Sequence, residues 1–281
     1  MIPEKYLLSL IENAYKEDVG KGDHSSLCCI NELVQGKANL LVKENGIIAG
    51  VSVAQIVAKY YSIKLKMNTF IEDGQQVKVG DIVFCLEGPQ LDILAAERTI
   101  LNFMQRMSGI ATETSKYVNK LKNYKTKILD TRKTTPGLRL IEKEAVRIGG
   151  GMNHRMGLYD MIMLKDNHID FAGGIEKAIL KAEDYLKKNQ LNLKIEIETR
   201  TIDDVKEVMR VGKVDIIMLD NFNIENTRLA VELINGRFIT ESSGGITLEN
   251  IIDYADCGVD FISVGALTHK IKSLDLSLKA V

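Results

Sequence analysis

The chain has almost no charge excess: 37 lysines and arginines stand against 38 aspartates and glutamates, a net charge of −1 over 281 residues. A whole-molecule field for nucleic acid or an anionic membrane is thereby excluded, and any attraction for anions has to be local. Cysteine is scarce. None of Cys28, Cys29, Cys85 and Cys257 belongs to a CxxC pair, and adjacent Cys28–Cys29 is not a zinc-ligand spacing. All four read as reduced thiols. No apolar run is long enough to cross a bilayer, and the N-terminal MIPEKYLLSLIENAYKEDVG carries charges every few residues with no apolar leader core. The expected compartment is the cytoplasm. No strand-like run is followed at once by GxGxxG, which weighs against a dinucleotide-binding sheet. What remains is an ordinary globular composition, with length for one large domain or two smaller ones.

The chemistry is concentrated between Asp130 and His168, DTRKTTPGLRLIEKEAVRIGGGMNHRMGLYDMIMLKDNH. Arg132, Lys133, Arg139, Arg155 and Lys165 are interleaved there with His154 and His168 and set among Pro136, Gly137, Gly149, Gly150 and Gly151. A solvated helix face would carry its charges at i,i+4 spacing. These sit at the ends of apolar runs, on turns, where a scaffold presents ligand-binding groups.

Before that stretch, residues 4–16 predict a short amphipathic helix with Leu7, Leu8 and Ile11 on one face. The following GKGDHSS reads as a loop, and its His24 is given no role. KANLLVKENGIIAGV (37–51) predicts a β-hairpin turning at Glu44-Asn45-Gly46. Residues 52–61 read as helix, and 63–88 as strands with turns at Asp73-Gly74 and Gly80-Asp81. Pro89 fits the first turn of a helix that reaches about Met107 and carries Arg98 and Arg106. Gly109 is expected to break it before a second helix to about Leu121.

From Lys125 onward short β-branched runs (KILDT, MIMLKD, KIEIET, DIIMLD, RFITES, DFISVG) alternate with helical segments near 139–148, 173–188, 202–210, 224–235 and 247–256. Such alternation implies a parallel sheet, closed as a barrel or open. Polar residues or glycine end every run: Asp130 and Arg132, then Lys165, Glu198, Asp220, Ser242 with Ser243, and Gly265. In an α/β barrel those ends share one rim, where active sites are built.

Three devices fall on that rim. The cations are the first. SSGGIT (242–247) and SVGALTH (263–269) are the second; backbone amides at such turns, with SSGG read as running directly into a helix, make a phosphate site. Glu198 and Asp220 are the third, suited to a hard cation such as Mg²⁺ or simply to pairing with the neighbouring cations. The set describes transfer chemistry on a phosphorylated sugar, or an aldolase using Lys133 or Lys165 as a Schiff base. The residues alone leave both open.

DTRKTTPGLR, GGGMNHRMGL, IMLKDNHI, EIET, IMLDNF, ESSGGIT and SVGALTH resemble, in that order, the quinolinate phosphoribosyltransferases, also called nicotinate-nucleotide pyrophosphorylases (carboxylating). LAAERTILNFMQRMSGIAT (94–112) and EDVGKGDHSS extend the likeness over nearly the whole chain. The departures are His24 and Lys270. The resemblance implies an N-terminal α/β sandwich domain over 1–110, joined by the C-terminal tail 270–281, and an incomplete, TIM-like α/β barrel of phosphoribosyltransferase type II over 111–269. It implies transfer of phosphoribosyl from phosphoribosyl pyrophosphate to quinolinate with decarboxylation, giving nicotinate mononucleotide, pyrophosphate and CO₂ in NAD biosynthesis. By the same likeness Arg132, His154, Arg155 and Lys165 hold quinolinate, and Arg106 reaches a neighbouring subunit's site in a homodimer or larger homo-oligomer. Lys133, Glu198 and Asp220 are the catalytic residues. Glu198 and Asp220 also hold Mg²⁺, directly or through substrate or water. Phosphoribosyl pyrophosphate is bound by Lys133, Ser243, Gly244, Gly245, Gly265 and His269. Two alternatives stand beside this reading: the related molybdenum-locus protein of similar fold, opposed by the intact KDNH, and a non-catalytic binder of a phosphorylated metabolite, opposed by the retained carboxylates.

Overall fold

The structure, a computed structural model, describes residues 2–281. The chain begins α1 (Glu4–Asp18), α2 (His24–Cys29), β1 (Gln35–Val42), β2 (Gly46–Ile47), α3 (Val51–Tyr61), β3 (Lys66–Thr69), β4 (Gln76–Val77) and β5 (Ile82–Pro89). It continues with α4 (Gln90–Lys120), β6 (Lys127–Leu129), α5 (Arg139–Ile148), β7 (Ile162–Leu164), α6 (Asp166–Ala172), α7 (Ile175–Asn189), β8 (Ile195–Thr199) and α8 (Ile202–Val211). The last elements are β9 (Ile216–Asp220), α9 (Ile224–Ile234), β10 (Ile239–Ser243), α10 (Ile251–Asp256), β11 (Phe261–Ser263), α11 (Ala266–His269) and β12 (Leu276–Ala280). None of the helices among the described residues is long and apolar enough to cross a membrane.

Two compact units result. The first gathers the residues up to Ser115, then Thr135–Gly150 and Lys270–Val281; the second takes Lys116–Thr134 and Gly151–His269.

The first unit is built on an antiparallel sheet of order β12-β1-β5-β3, with Leu40, Val42, Phe84 and Leu86 fully buried. Three expectations fail here. Residues 37–51 are not a hairpin: β1 pairs with β12 and β5, while β2 pairs with β4. The reason lies in α4. The Ile47 N–H is taken by Thr112 Oγ1 and the Ala49 N–H by Ser108 Oγ, so side chains of α4 claim the strand that would have folded back. Nor does Gly109 break a helix; α4 runs through it from Gln90, with Pro89 ending β5. A Cβ at Gly109 would stand 2.4 Å from the Lys272 carbonyl oxygen, so the glycine serves a close approach of the C-terminal segment. GKGDHSS, finally, is only half loop: Asp23 caps α2 by accepting the Ser26 N–H, and His24 is its first residue.

The second unit is a six-stranded parallel sheet of order β6-β11-β10-β9-β8-β7 with helices between strands. Its strands are short and mostly buried, as in a sheet covered on both faces. Thr201 and Asn223 start α8 and α9 by accepting the Asp204 and Asn226 N–H groups, caps worth about 1 kcal/mol each. Register decides what shares a face. Glu198 lies opposite Met218, Glu241 also opposite Met218, and Ser243 opposite Asp220. Because side chains alternate along a strand, Glu196 and Glu198 point to one side of β8, and Glu241 and Ser243 to one side of β10.

Candidate active site

The side on which those residues fall encloses a cavity of about 510 Å³, within the size of sites that take a small ligand. It is lined from every strand of the parallel sheet, including the edges: Asp130 and Arg132 follow β6, Lys165 follows β7, and Glu198, Asp220, Ser243 and Ser263 lie at the ends of β8, β9, β10 and β11. Edge strands that do not pair can share one cavity only if the sheet curls, which makes this an incomplete barrel with its carboxyl-end rim as the mouth.

Of the residues expected on the rim, Arg132, Lys133, His154, Arg155, Lys165, Glu198, Asp220, Ser243, Gly244 and Gly245 line the cavity. Arg106, Gly265 and His269 do not. Gly265 and His269 stand next to it: a Cβ on Gly265 would come within 3.0 Å of Lys133 Cδ, and His269 Nδ1 lies 2.6 Å from the Gly265 carbonyl. Thr268 Oγ1 donates to the Lys133 carbonyl at 2.8 Å, tying that lysine's backbone to α11. Arg106 sits on α4 in the first unit, where Nη2 is 2.9 Å from Oε1 of the fully buried Glu142.

The cations are poised for an anion. Arg155 is held below the usual arginine range by burial and by the neighbouring Arg132 charge. Arg132 Nε is buried without a hydrogen-bond partner. Two crowded guanidiniums, one with an unused donor, favour whatever brings negative charge between them. Arg155 Nη1 donates to the Met161 carbonyl at 3.3 Å, and Lys165 Nζ pairs with Glu198. The other Glu198 oxygen accepts the Asp166 N–H at 3.4 Å.

The glycine turn is formed, though not as expected. Gly244 and Gly245 both adopt left-handed backbone, at φ 91° and 63°, but α10 begins only at Ile251. SSGG therefore does not run into a helix; Thr247 and Asn250 make a separate turn, with Asn250 Oδ1 accepting the Thr247 N–H. An anion meeting this turn would find only the amides of the turn itself, not a helix start.

Beneath the mouth lies a group that reasoning from sequence passed over. His154 Nε2 is 2.9 Å from Glu196 Oε2 and 3.4 Å from Glu241 Oε2, and both glutamates are fully buried. Burial and the Glu241 charge push Glu196 up to about 7, against the His154 hydrogen bond. Burial opposes charge on the imidazole, but contact with the two glutamates outweighs that and pushes its pKa up to about 10; the Arg155 N–H, 2.8 Å from Nδ1, nevertheless leaves a place for a proton on Nε2 alone. Asp130 braces the same segment: Oδ1 accepts the His154 N–H at 2.9 Å and Oδ2 accepts Asn153 Nδ2 at 2.6 Å. A parity signal was present, since strand alternation in KIEIET places Glu196 on the Glu198 face.

A curled parallel sheet whose mouth offers paired guanidiniums, strand-end carboxylates and a double-glycine turn has the equipment of a type II phosphoribosyltransferase, a class that must hold an acid and a sugar phosphate together. Comparison with known proteins makes this specific. Residues 23–108 match the family profile of the quinolinate phosphoribosyl transferase N-terminal domain, and residues 110–279 that of the C-terminal domain. The chain belongs to the quinolinate phosphoribosyltransferase family. It is 46% identical over 292 residues, 99% of this chain and 83% of the relative, to the chloroplastic nicotinate-nucleotide pyrophosphorylase (carboxylating) of Arabidopsis thaliana. It is 41% identical over 272 residues, 97% and 92% of the two chains, to the probable nicotinate-nucleotide pyrophosphorylase (carboxylating) of Bacillus subtilis. Among solved structures, NadC from Streptococcus pyogenes superimposes with a TM-score of 0.94 at 39% identity, covering 100% of this chain and 99% of that one.

Proposed function

We propose that the protein transfers phosphoribosyl from phosphoribosyl pyrophosphate to quinolinate and releases pyrophosphate, CO₂ and nicotinate mononucleotide, a step of NAD biosynthesis. The observation that carries this is the single cavity that gathers Arg132, Arg155 and Lys165 with Glu198, Asp220 and the Gly244–Gly245 turn. Quinolinate is a planar dianion. Arg132 and Arg155 take its carboxylates in forked hydrogen bonds, which also relieves their mutual repulsion. Lys165 completes the charge match.

The ring nitrogen attacks C1′ of the ribose as the bond to pyrophosphate breaks, and needs no general base because it carries no proton. Positive charge develops on the ribose and negative charge on the leaving group. Glu198 and Asp220 face the first and Lys133 the second, from fixed positions on the rim of the sheet. The 5′-phosphate sits on the amides of Ser243, Gly244 and Gly245, beside Gly265 and His269. With the ring nitrogen alkylated, the pyridinium accepts the electron pair of the breaking C2–carboxylate bond, CO₂ leaves, and C2 takes a proton.

The carboxylates fit Mg²⁺. Glu198 and Asp220 end adjacent strands on the same cavity, but Lys165 and the Asp166 N–H engage Glu198, and Asn221 Nδ2 donates to Asp220 at 2.8 Å. That leaves a shared foothold, which suits an ion that takes one or two carboxylates and completes its shell with phosphate oxygens and water. Bound there, Mg²⁺ would offset the charge of the departing pyrophosphate.

We further infer a homodimer or larger assembly in which Arg106 serves a partner's site, and a cytoplasmic enzyme. The likeness to the family over both of its domains supports the first, and four free thiols support the second. Incubating the chain with quinolinate, phosphoribosyl pyrophosphate and Mg²⁺ should release nicotinate mononucleotide and CO₂ in equal amounts, with nicotinate a far poorer acceptor. Folded protein that makes neither product refutes the proposal.

A further inference from the structure

The family likeness would put His154 on the quinolinate carboxylates, yet both of its ring nitrogens are spent inside the protein. Nδ1 accepts the Arg155 backbone N–H at 2.8 Å. An atom that accepts an N–H carries no proton, so the ring's proton is on Nε2. Nε2–H in turn points into the two buried carboxylates, 2.9 Å from Glu196 and 3.4 Å from Glu241. The arrangement satisfies the imidazole and leaves it no donor for a ligand.

The same geometry disposes of a metal. His154, Glu196 and Glu241 present three ligand atoms within 4.8 Å of one another, a set that would suit zinc or manganese. A metal on Nε2 requires the remaining ring proton on Nδ1, donating to an acceptor. Here Nδ1 faces a donor, so metallation would demand an imidazolate or a rebuilt segment.

We infer that His154 is a positioning residue, a neutral Nε2–H imidazole that locks the Arg155 backbone onto buried side chains of β8 and β10 and so sets the Arg132–Arg155 pair for the substrate. The linkage is continuous. Glu196 on β8 and Glu241 on β10 fix the ring, the ring fixes the Arg155 N–H, and Asp130, after β6, fixes the His154 N–H and the Asn153 side chain. Three strands thereby determine where one guanidinium begins. A displacement well under a hydrogen-bond length at its backbone would spoil forked recognition at its tip.

The inference rests on the proposed reaction for its substrate but not for its first test. Nitrogen-15 spectra of the histidine-labelled chain, with His154 assigned by its loss in His154→Asn, should show Nδ1 unprotonated and Nε2 protonated. Neither signal should change its protonation state when quinolinate or Zn²⁺ is added. An imidazolium, the opposite tautomer, or a bound metal overturns the inference, whether or not the chain proves to be a transferase.

The second test is binding. An asparagine Oδ1 occupies the place of Nδ1 and can accept the Arg155 N–H, but nothing in asparagine reaches the place of Nε2. His154→Ala should weaken quinolinate binding about tenfold or more, and His154→Asn should recover most of that loss, although both variants melt earlier because Glu196 and Glu241 lose their donor. Asparagine behaving like alanine, in variants of equal melting temperature, would mean that Nε2 touches the substrate. If the wild-type chain binds no quinolinate, the proposed function falls, and the spectra still decide the state of the ring.

Discussion

Lys165 Nζ is hydrogen-bonded to Glu198 Oε1 across neighbouring strands of the parallel sheet. The lysine is 44% exposed, so the pair adds little to stability. Its consequence is functional, since a lysine spent on Glu198 is a weaker partner for a substrate carboxylate. Glu198→Gln is expected to lower kcat about a hundredfold through the lost ribose-facing charge, while the KM for quinolinate stays level or falls because Lys165 is released. Lys165→Ala is expected to raise that KM instead. Steady-state kinetics separate the two, and a rise in quinolinate KM for Glu198→Gln would mean that the carboxylate, not the lysine, orients the acid.

Arg155 should show opposite effects on binding and folding. It is held below its ordinary range by burial and by Arg132, so in the free protein its charge is a cost. Arg155→Ala is expected to leave the ligand-free melting temperature unchanged or higher, and to weaken quinolinate by several kcal/mol, because a buried substrate carboxylate loses its charged partner. Thermal melts with and without quinolinate read both effects. A lower melting point in the free protein together with an intact ligand-induced shift would remove Arg155 from the site.

Much of this was legible before any coordinates. The six parallel strands fall on the six β-branched runs, and Arg139–Ile148 is the helix that apolar spacing foresaw. Six of the eight residues read at strand ends, Asp130, Arg132, Lys165, Glu198, Asp220 and Ser243, line one cavity, because parallel strands in one sheet end on one side whatever lies between them. What escaped depends on partners far away in sequence. Gly109 reads as a break until the Lys272 carbonyl is seen beside it, and Gly46–Ile47 reads as half a hairpin until Thr112 is seen taking its N–H. Glu196 and Glu241 looked like parts of motifs, and only the His154 ring between them gives them a purpose.

The double glycine offers an internal comparison. A Cβ on Gly244 would fall 2.2 Å from Asn221 Oδ1 and 3.0 Å from the Asn221 backbone nitrogen, whereas one on Gly245 meets nothing within 4 Å. Both have left-handed backbone, so each alanine bears about 1 kcal/mol of strain. Gly244→Ala must in addition push Asn221 and the end of β9 aside. The KM for phosphoribosyl pyrophosphate should rise about tenfold more in Gly244→Ala than in Gly245→Ala, with quinolinate affinity changed less. Equal effects would show that backbone conformation, not the fit against Asn221, shapes the phosphate turn.

Arg106 is held by Glu142, whose other oxygen accepts the Thr135 N–H at 3.1 Å, so its guanidinium is fixed before any ligand arrives. If it serves a partner's site, Arg106→Ala and Lys133→Ala damage different halves of that site. Each variant alone should be nearly inactive, and mixing them under subunit exchange should restore a fraction of wild-type activity, up to about a quarter for a dimer with random reassortment. No recovery in mixtures proven to contain heterodimers would mean that each chain completes its own site.

The last expectation concerns pH. Glu196 titrates near 7 in the folded chain, raised chiefly by burial and then by Glu241, against an ordinary value of 4.5 when unfolded. Between those values the folded chain holds a proton that the unfolded chain has released. The stability this group contributes is therefore complete below about pH 4.5 and lost as pH climbs through about 7. The full effect would be on the order of 3 kcal/mol, an upper limit for a carboxyl that shares its field with Glu241 and His154. Glu196→Gln keeps the shape and abolishes the titration, so its unfolding free energy should fall less steeply than wild type between about pH 5 and about pH 8 in urea melts. The amide also keeps an oxygen for the Nε2–H of His154, so the variant should remain folded. Parallel slopes in the two proteins would locate the raised group elsewhere, and a steeper slope in the variant would mean that Glu196 enters the folded chain already ionised, with His154 as its full counterion.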